Sequence, residues 1–203
     1  MKETNGLCRF GLAIGLAAVL GFVTSCAMLK SGQRQRVALF DGETLKGWTV
    51  LSCEAKVENG NLLLESGNGL VQTEARYEDF VLEFEWKPLR EDGWDSGVYF
   101  RYDSVPAGNP WPRRYQANLL KGSEGNVGGL ENARSEGLIK NGQWNRFKLT
   151  VQNTHASMEI NGQSAWHADG LEGPEEGFIA FQAEVPGGGQ HLFRNIYLTE
   201  LDD

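Results

Sequence analysis

Between positions 94 and 191 the chain gathers side chains suited to chemistry on a polar, hydroxylated molecule. Asp95, in Asp95-Ser96-Gly97, and Glu131, in Gly128-Gly129-Leu130-Glu131, are carboxylates beside glycines, placed to move protons. Arg101 belongs to the same strand-like run as Asp95 and can donate to an oxygen that gains charge. Gln116 and Asn118 are two apart, so their amides share one strand face, beside apolar Ala117 and Leu119. Glu184 and His191 flank Pro186-Gly187-Gly188-Gly189, and a histidine can titrate near neutrality. Trp94 and Trp111 offer indole faces for stacking on a ring. Each has a plainer alternative: a turn-stabilising Asp95, a structural ion pair for Arg101, a solvated amide face, a loop acid at 131 and a surface histidine at 191.

The elements that must position these groups read as β-strands. In Val81-Leu82-Glu83-Phe84-Glu85-Trp86-Lys87, positions 82, 84 and 86 face one way and the charges face the other. Arg146-Phe147-Lys148-Leu149-Thr150-Val151 repeats the pattern, as expected for half-buried antiparallel strands. Asn161-Gly162 marks a two-residue hairpin, and Asn59-Gly60 and Asn141-Gly142 are similar turn signals. Further strands are expected at 61–65, 69–73, 96–102, 114–120, 177–183 and 191–200. No window gives an amphipathic helix. Pro106, Gly108, Pro110 and Pro112 break the segment from Tyr102 to Arg114 into a long loop, and Gly122 to Asn141 reads as another. Many short strands with turns and no helix predict an all-β antiparallel sandwich of the jelly-roll type.

The first 25 residues read as a signal segment: Lys2 and Arg9 precede the apolar run Phe10 to Val23, which ends in Val23-Thr24-Ser25-Cys26. That ending looks like a lipobox, so residues 26–36 are expected to form a lipidated tether with Cys26 acylated, and 37–203 the folded domain. This places the protein at the bacterial cell envelope, anchored in the outer membrane. An ordinary signal peptide and an uncleaved anchor are the alternatives. With Cys8 removed and Cys26 acylated, only Cys53 remains, and no intrachain disulfide can form. The chain carries 19 Lys and Arg against 27 Asp and Glu, a net charge of −8, which argues against nucleic acid and fits a neutral glycan. His155, His167 and His191 lack metal-ligand spacing. No phosphate loop or dinucleotide fingerprint is present. No cofactor is expected, and a bound metal ion is left open. Glu83 and Glu85 form an ordinary solvent face without the third acid of laminarinase-like glucanases, so two-carboxylate hydrolysis has no clear home.

Five segments in order carry a family resemblance: Leu39-Phe40-Asp41-Gly42 through Gly47-Trp48, Asp95-Ser96-Gly97-Val98-Tyr99-Phe100-Arg101, Gly142-Gln143-Trp144-Asn145, Asn161-Gly162 and Phe193-Arg194-Asn195-Ile196. Together, over residues 37–201, they resemble the 3-keto-disaccharide hydrolase family. The resemblance implies a concanavalin A-like jelly roll whose concave sheet binds sugar, and action on glycosides oxidised at C3. A C3 ketone acidifies the C2 proton, so a base removes it, the C1 oxygen leaves by elimination, and water adds back. Such a site needs a base, a donor for the enolate oxygen and a proton source. Asp95, Arg101 and Glu131 are the candidates for catalysis; Trp94, Trp111, Gln116, Asn118, Glu184 and His191 are those for binding. The chain departs from the family at Tyr115-Gln116-Ala117-Asn118-Leu119, where the family often reads Tyr-Glu-x-Gln-Ile. The acid is an amide here, so no carboxylate role carries onto Gln116. That departure keeps a noncatalytic carbohydrate-binding module as the main alternative, with a structural envelope protein third.

Overall fold

Apolar alternation resolves into eleven strands, all paired antiparallel, in the computed structural model, which describes residues 35–202. No helix occurs among the described residues. The expected signal segment, Cys26 and the tether up to residue 34 lie outside them.

One continuous sheet folds over to make two layers. The first layer runs β6 (Gln116–Asn118), β5 (Gly97–Tyr102), β10 (Phe178–Val185), the C-terminal part of β3 (Asn61–Thr73) and β2 (Trp48–Glu58). The second runs from the N-terminal part of β3 through β11 (His191–Glu200), β4 (Phe80–Pro88), β7 (Asn145–Gln152), β8 (His155–Ile160) and β9 (Gln163–Asp169). A short β1 (Val37–Ala38) pairs with β11 and joins the two ends of the fold. The runs 61–65 and 69–73, expected as separate strands, are one strand that turns the corner. Leu62 to Leu64 pair with β11, while Gly67 to Gln72 pair with β10. Gly67 has φ +86°, and a side chain at Gly69 would collide with the Leu51 carbonyl, so the corner needs both glycines. Strand β2 is the unexpected element, because a bulge at Ser52 (φ 54°) interrupts its alternation.

The core lies between the layers. Phe181 and Val98 of the first meet Phe84, Phe147 and Phe193 of the second. The Phe181 and Phe193 rings sit 4.4 Å apart, and Phe84 meets Phe181 edge-on at 5.7 Å. Burying each such ring is worth about 1.5–3 kcal/mol. The Asn59-Gly60 and Asn161-Gly162 turns have positive φ at both residues, as two-residue hairpins with right-handed strand twist require.

Candidate active site

Because Ile179, Phe181 and Ala183 of β10 point into the core, Phe178, Ala180, Gln182 and Glu184 point outward. Cross-strand register fixes their company. Ala180 lies opposite Tyr99 and Gln72, Gln182 opposite Leu70, and Glu184 opposite Asn68. On β6, Gln116 lies opposite Tyr99 and Asn118 opposite Gly97. The outer face of the first layer therefore carries a row of amides and acids that grades into aromatic rings.

The polar end is tightly connected. Gln116 Nε2 donates to Gln182 Oε1, and Gln182 Nε2 donates to Glu184 Oε2 at 3.1 Å. This relay orients both amides and leaves the Gln116 oxygen without a donor among the described residues, able to accept from a ligand. Gln116 lies over Gly97, where a side chain would occupy its place. Asp95 stands beside Glu184 because its N–H donates to the Gly188 carbonyl (3.0 Å), while the Gly188 N–H donates to the Glu184 carbonyl (2.5 Å). A side chain at Gly188 would strike the Asp95 carbonyl, so only glycine permits this approach. Burial raises the pKa of Asp95. Burial and then the Asp95 charge raise that of Glu184. Burial, reinforced by both carboxylates, pushes the Tyr99 hydroxyl up to about 12. The two acids thus hold protons at higher pH than free carboxyls do, a condition suited to general acid–base work.

His191 is not on this face. It is fully buried behind it, with its ring stacked on Trp86 at 6.0 Å. Trp86 Nε1 donates to His191 Nδ1 (3.1 Å), which leaves Nε2–H to donate to the carbonyls of Asp95 (3.0 Å) and Gly188 (3.2 Å). Burial drives its pKa down to about 4, so the ring is neutral at physiological pH. It supports the backbone of Asp95 and does not meet a ligand, which corrects the expectation that it binds substrate.

Three further candidates are placed elsewhere. Arg101 is 4% exposed and pairs with Asp79 at 2.6 Å, while its Nε donates to the Glu78 carbonyl at 2.9 Å. The cause is a bulge. Arg101 takes φ 51°, and the β5–β10 register slips so that Tyr102 lies opposite Phe178 while Tyr99 lies opposite Ala180. Strict alternation would send Arg101 outward with Tyr99; the bulge sends Tyr102 instead. Trp94 is buried in the core, donating to Glu124 Oε1 at 2.9 Å and meeting Trp86 edge-on, with the Lys121 ammonium 4.1 Å from its ring centre. It has no free face for a sugar. Glu131 is an exposed loop acid outside this cluster.

Trp111 does reach the outer face. With Val105 it packs from the 103–114 segment onto a second apolar cluster of Leu70, Tyr99, Tyr102 and Ala180, flanked by Leu51 and Phe178. Its Nε1–H is buried without an acceptor among the described residues. Asn118 lies on the same face by register, its Oδ1 accepting from the Leu120 N–H at 2.8 Å. The structure adds Tyr99, Tyr102, Gln72, Phe178 and Gln182, which the sequence reading did not single out. A signal for Gln182 was available: it is the amide in an otherwise apolar run from Phe178 to Ala183. None was available for Tyr102, whose orientation depends on the bulge. Among the described residues no group of three or more His, Cys, Asp or Glu is arranged to hold a metal ion.

The chain is similar in fold to three solved proteins of carbohydrate chemistry. A protein from Parabacteroides distasonis ATCC 8503 assigned as a glycosyl hydrolase superposes with TM-score 0.65 at 19% identity, covering 82% of this chain and 100% of that one. The carbohydrate-binding module CBM66 from Bacillus subtilis gives TM-score 0.57 at 16% identity, covering 76% of this chain and 96% of the module. The Bacillus licheniformis beta-glucanase gives 0.54 at 15%, covering 85% of this chain and 100% of the enzyme. At such identities the likeness is one of fold, the jelly-roll sandwich. No curated protein matches the sequence. The profile of one family matches residues 35–199, nearly the whole described domain, and the chain belongs to that family, the 3-keto-alpha-glucoside-1,2-lyase-like domains.

Proposed function

We propose that this protein cleaves 3-keto-glycosides by elimination and hydration across C1–C2, at the outer face of the first layer. The observation that carries the reading is the pairing of Asp95 with Glu184 beside the Gln116–Gln182 relay. Asp95, whose charge helps to raise the Glu184 pKa, takes the C2 proton of the keto sugar. The C1–O bond breaks, the electron pair leaves with the aglycone oxygen, and protonated Glu184 supplies its hydrogen. Water then adds across the C1–C2 double bond, with its proton to C2 and its hydroxyl to C1. Asp95 takes the part expected of Glu131, and Arg101, held by Asp79, does not serve the enolate. The free oxygen of Gln116 accepts from a sugar hydroxyl. Anchored through acylated Cys26, the domain would meet its glycans at the outer membrane of the envelope. Loss of palmitate labelling in Cys26→Ser tests the anchor, and unchanged labelling refutes it.

The test of catalysis is release of 4-nitrophenol from its 3-keto-glucoside, with Asp95→Asn abolishing it. The amide at Gln116, where the family often has an acid, favours the alternative of a noncatalytic carbohydrate-binding module. The same assay separates the two: a protein that binds the keto sugar without releasing phenol above background is a binding module.

A further inference from the structure

Two tyrosines of β5, Tyr99 and Tyr102, point outward on the first layer, and their hydroxyls are used differently. The Tyr102 hydroxyl donates to Gln72 Oε1 at 2.8 Å. The Tyr99 hydroxyl has no hydrogen-bond partner among the described residues. It is not sealed in either. Among the described residues the buried side-chain polar atoms left without a partner are Asp79 Oδ2 and Trp111 Nε1. The Tyr99 oxygen is neither of these, so it is open to a ligand although the residue as a whole is only 5% exposed. The ring below it is fixed. Leu70 and Ala180 pack against it, Val105 and Trp111 cover it, and Tyr102 meets it edge-on at 6.3 Å. The hydroxyl is therefore the one free end of a held side chain.

Register puts that end in the company of the acids. Tyr99 lies opposite Gln116, whose amide leads through Gln182 to Glu184. The charges of Asp95 and Glu184 both act on the hydroxyl, yet neither carboxylate accepts its hydrogen. It stands apart from the acids and within their field, with an interval between that a ligand can enter. Burial and those charges push its pKa up to about 12, so it keeps its hydrogen where carboxylates are ionised.

The reaction calls for such a group. Loss of the C2 proton places negative charge on the C3 oxygen, beside acidic side chains, and a preset donor offsets it. Arg101 is held by Asp79 and the Tyr102 hydroxyl by Gln72. A phenol O–H gives an oxyanion a short, strong hydrogen bond.

We propose that Tyr99 is a catalytic residue, its hydroxyl donating to the C3 oxygen of the keto sugar as the enolate forms. The proposal rests on the cleavage reading above. Asp95 takes the C2 hydrogen, the C–H electron pair forms the C2–C3 double bond, and the carbonyl pair moves onto the oxygen that Tyr99 meets. As the carbonyl re-forms, the C1–O bond breaks and Glu184 protonates the departing oxygen. Water then gives its hydroxyl to C1 and a hydrogen to Glu184, while Asp95 returns its hydrogen to C2. Tyr99 keeps its own hydrogen throughout.

Tyr99→Phe tests this, since it removes one unpaired oxygen and keeps the ring. Its urea midpoint should match that of wild type, while kcat/KM for 4-nitrophenyl 3-keto-glucoside falls about 10²–10³-fold. A second measurement reads proton removal without expulsion. In D2O, Glu184→Gln should exchange the C2 hydrogen of methyl 3-keto-glucoside for deuterium, and adding Tyr99→Phe should slow that exchange by a like factor. Unchanged kcat/KM in Tyr99→Phe, or unchanged exchange in the double variant, overturns the proposal. A wild type that neither releases 4-nitrophenol nor exchanges the C2 hydrogen removes the cleavage reading itself, a result distinct from cleavage that does not need Tyr99.

Discussion

The two layers of this sandwich turn opposite chemistries to solvent. On the second layer the outward side chains neutralise one another. Glu83 is gripped by Arg146 and by Arg36 (2.6 Å), Arg194 meets Glu85 at 2.7 Å, and Lys148 meets Glu159 at 2.8 Å. Burial alone would raise the Glu83 pKa, but the hydrogen bonds from Arg146 and Arg36 outweigh it and lower it. On the first layer no described cation pairs with Asp95 or Glu184; burial raises both, and the Asp95 charge raises Glu184 further. The same residue type is thus quieted on one face and poised on the other, and local partners decide which. Alternation of apolar and polar positions builds both faces equally well, so it cannot distinguish a face of paired charges from one of unpaired acids.

The largest test of this contrast is an amide exchange on each face. Asp95→Asn and Glu184→Gln should lower 3-keto-glucoside cleavage by about 10²–10⁴-fold. Glu83→Gln and Glu159→Gln should change it less than about twofold, since exposed pairs carry little energy. Equal losses on the two faces would break the comparison.

The next effect is on stability, read by urea denaturation. Arg101→Met leaves Asp79 buried and unpaired and should cost about 3–5 kcal/mol. Arg146 is 60% exposed in its side chain, and Arg146→Ala should cost less than about 1 kcal/mol. A similar small loss at both would show that burial of the Arg101 pair contributes nothing.

The smallest effect is a pH dependence behind the poised face. The His191 pKa falls from 6.5 to about 4 on folding, so the unfolded chain binds more protons between those values. Its contribution is complete above pH 6.5 and is lost as pH falls toward 4, by about 3 kcal/mol. Asp95 and Glu184, whose pKa values are raised, act oppositely and gain stability as pH falls, offsetting part of that loss. Urea midpoints between pH 7 and 4.5 should fall more steeply in wild type than in His191→Gln. Parallel profiles would mean that His191 is not held neutral.

The legible parts of the site were those governed by spacing. Gln116 and Asn118, two apart, do share an outward face. Glu184 follows the alternation of β10 out to the same face. The misplaced residues were those whose surroundings come from far along the chain. Trp94 is buried because Glu124 accepts its N–H, and His191 because Trp86 stacks on it. Arg101 was misread because one residue in the left-handed region shifts the period of two on which every face assignment depends.

The all-β architecture, the hairpins at Asn59-Gly60 and Asn161-Gly162, the paired apolar faces and the family can all be read along the chain. These follow from local chemistry: period-two alternation, and turn residues that tolerate positive φ. Which acids meet is a property of the folded chain. Asp95 and Glu184 come together because Gly188 allows two backbones to touch, and a buried histidine holds them there. Proximity of that kind depends on strand register and on an absent side chain, neither of which leaves a local pattern in the sequence.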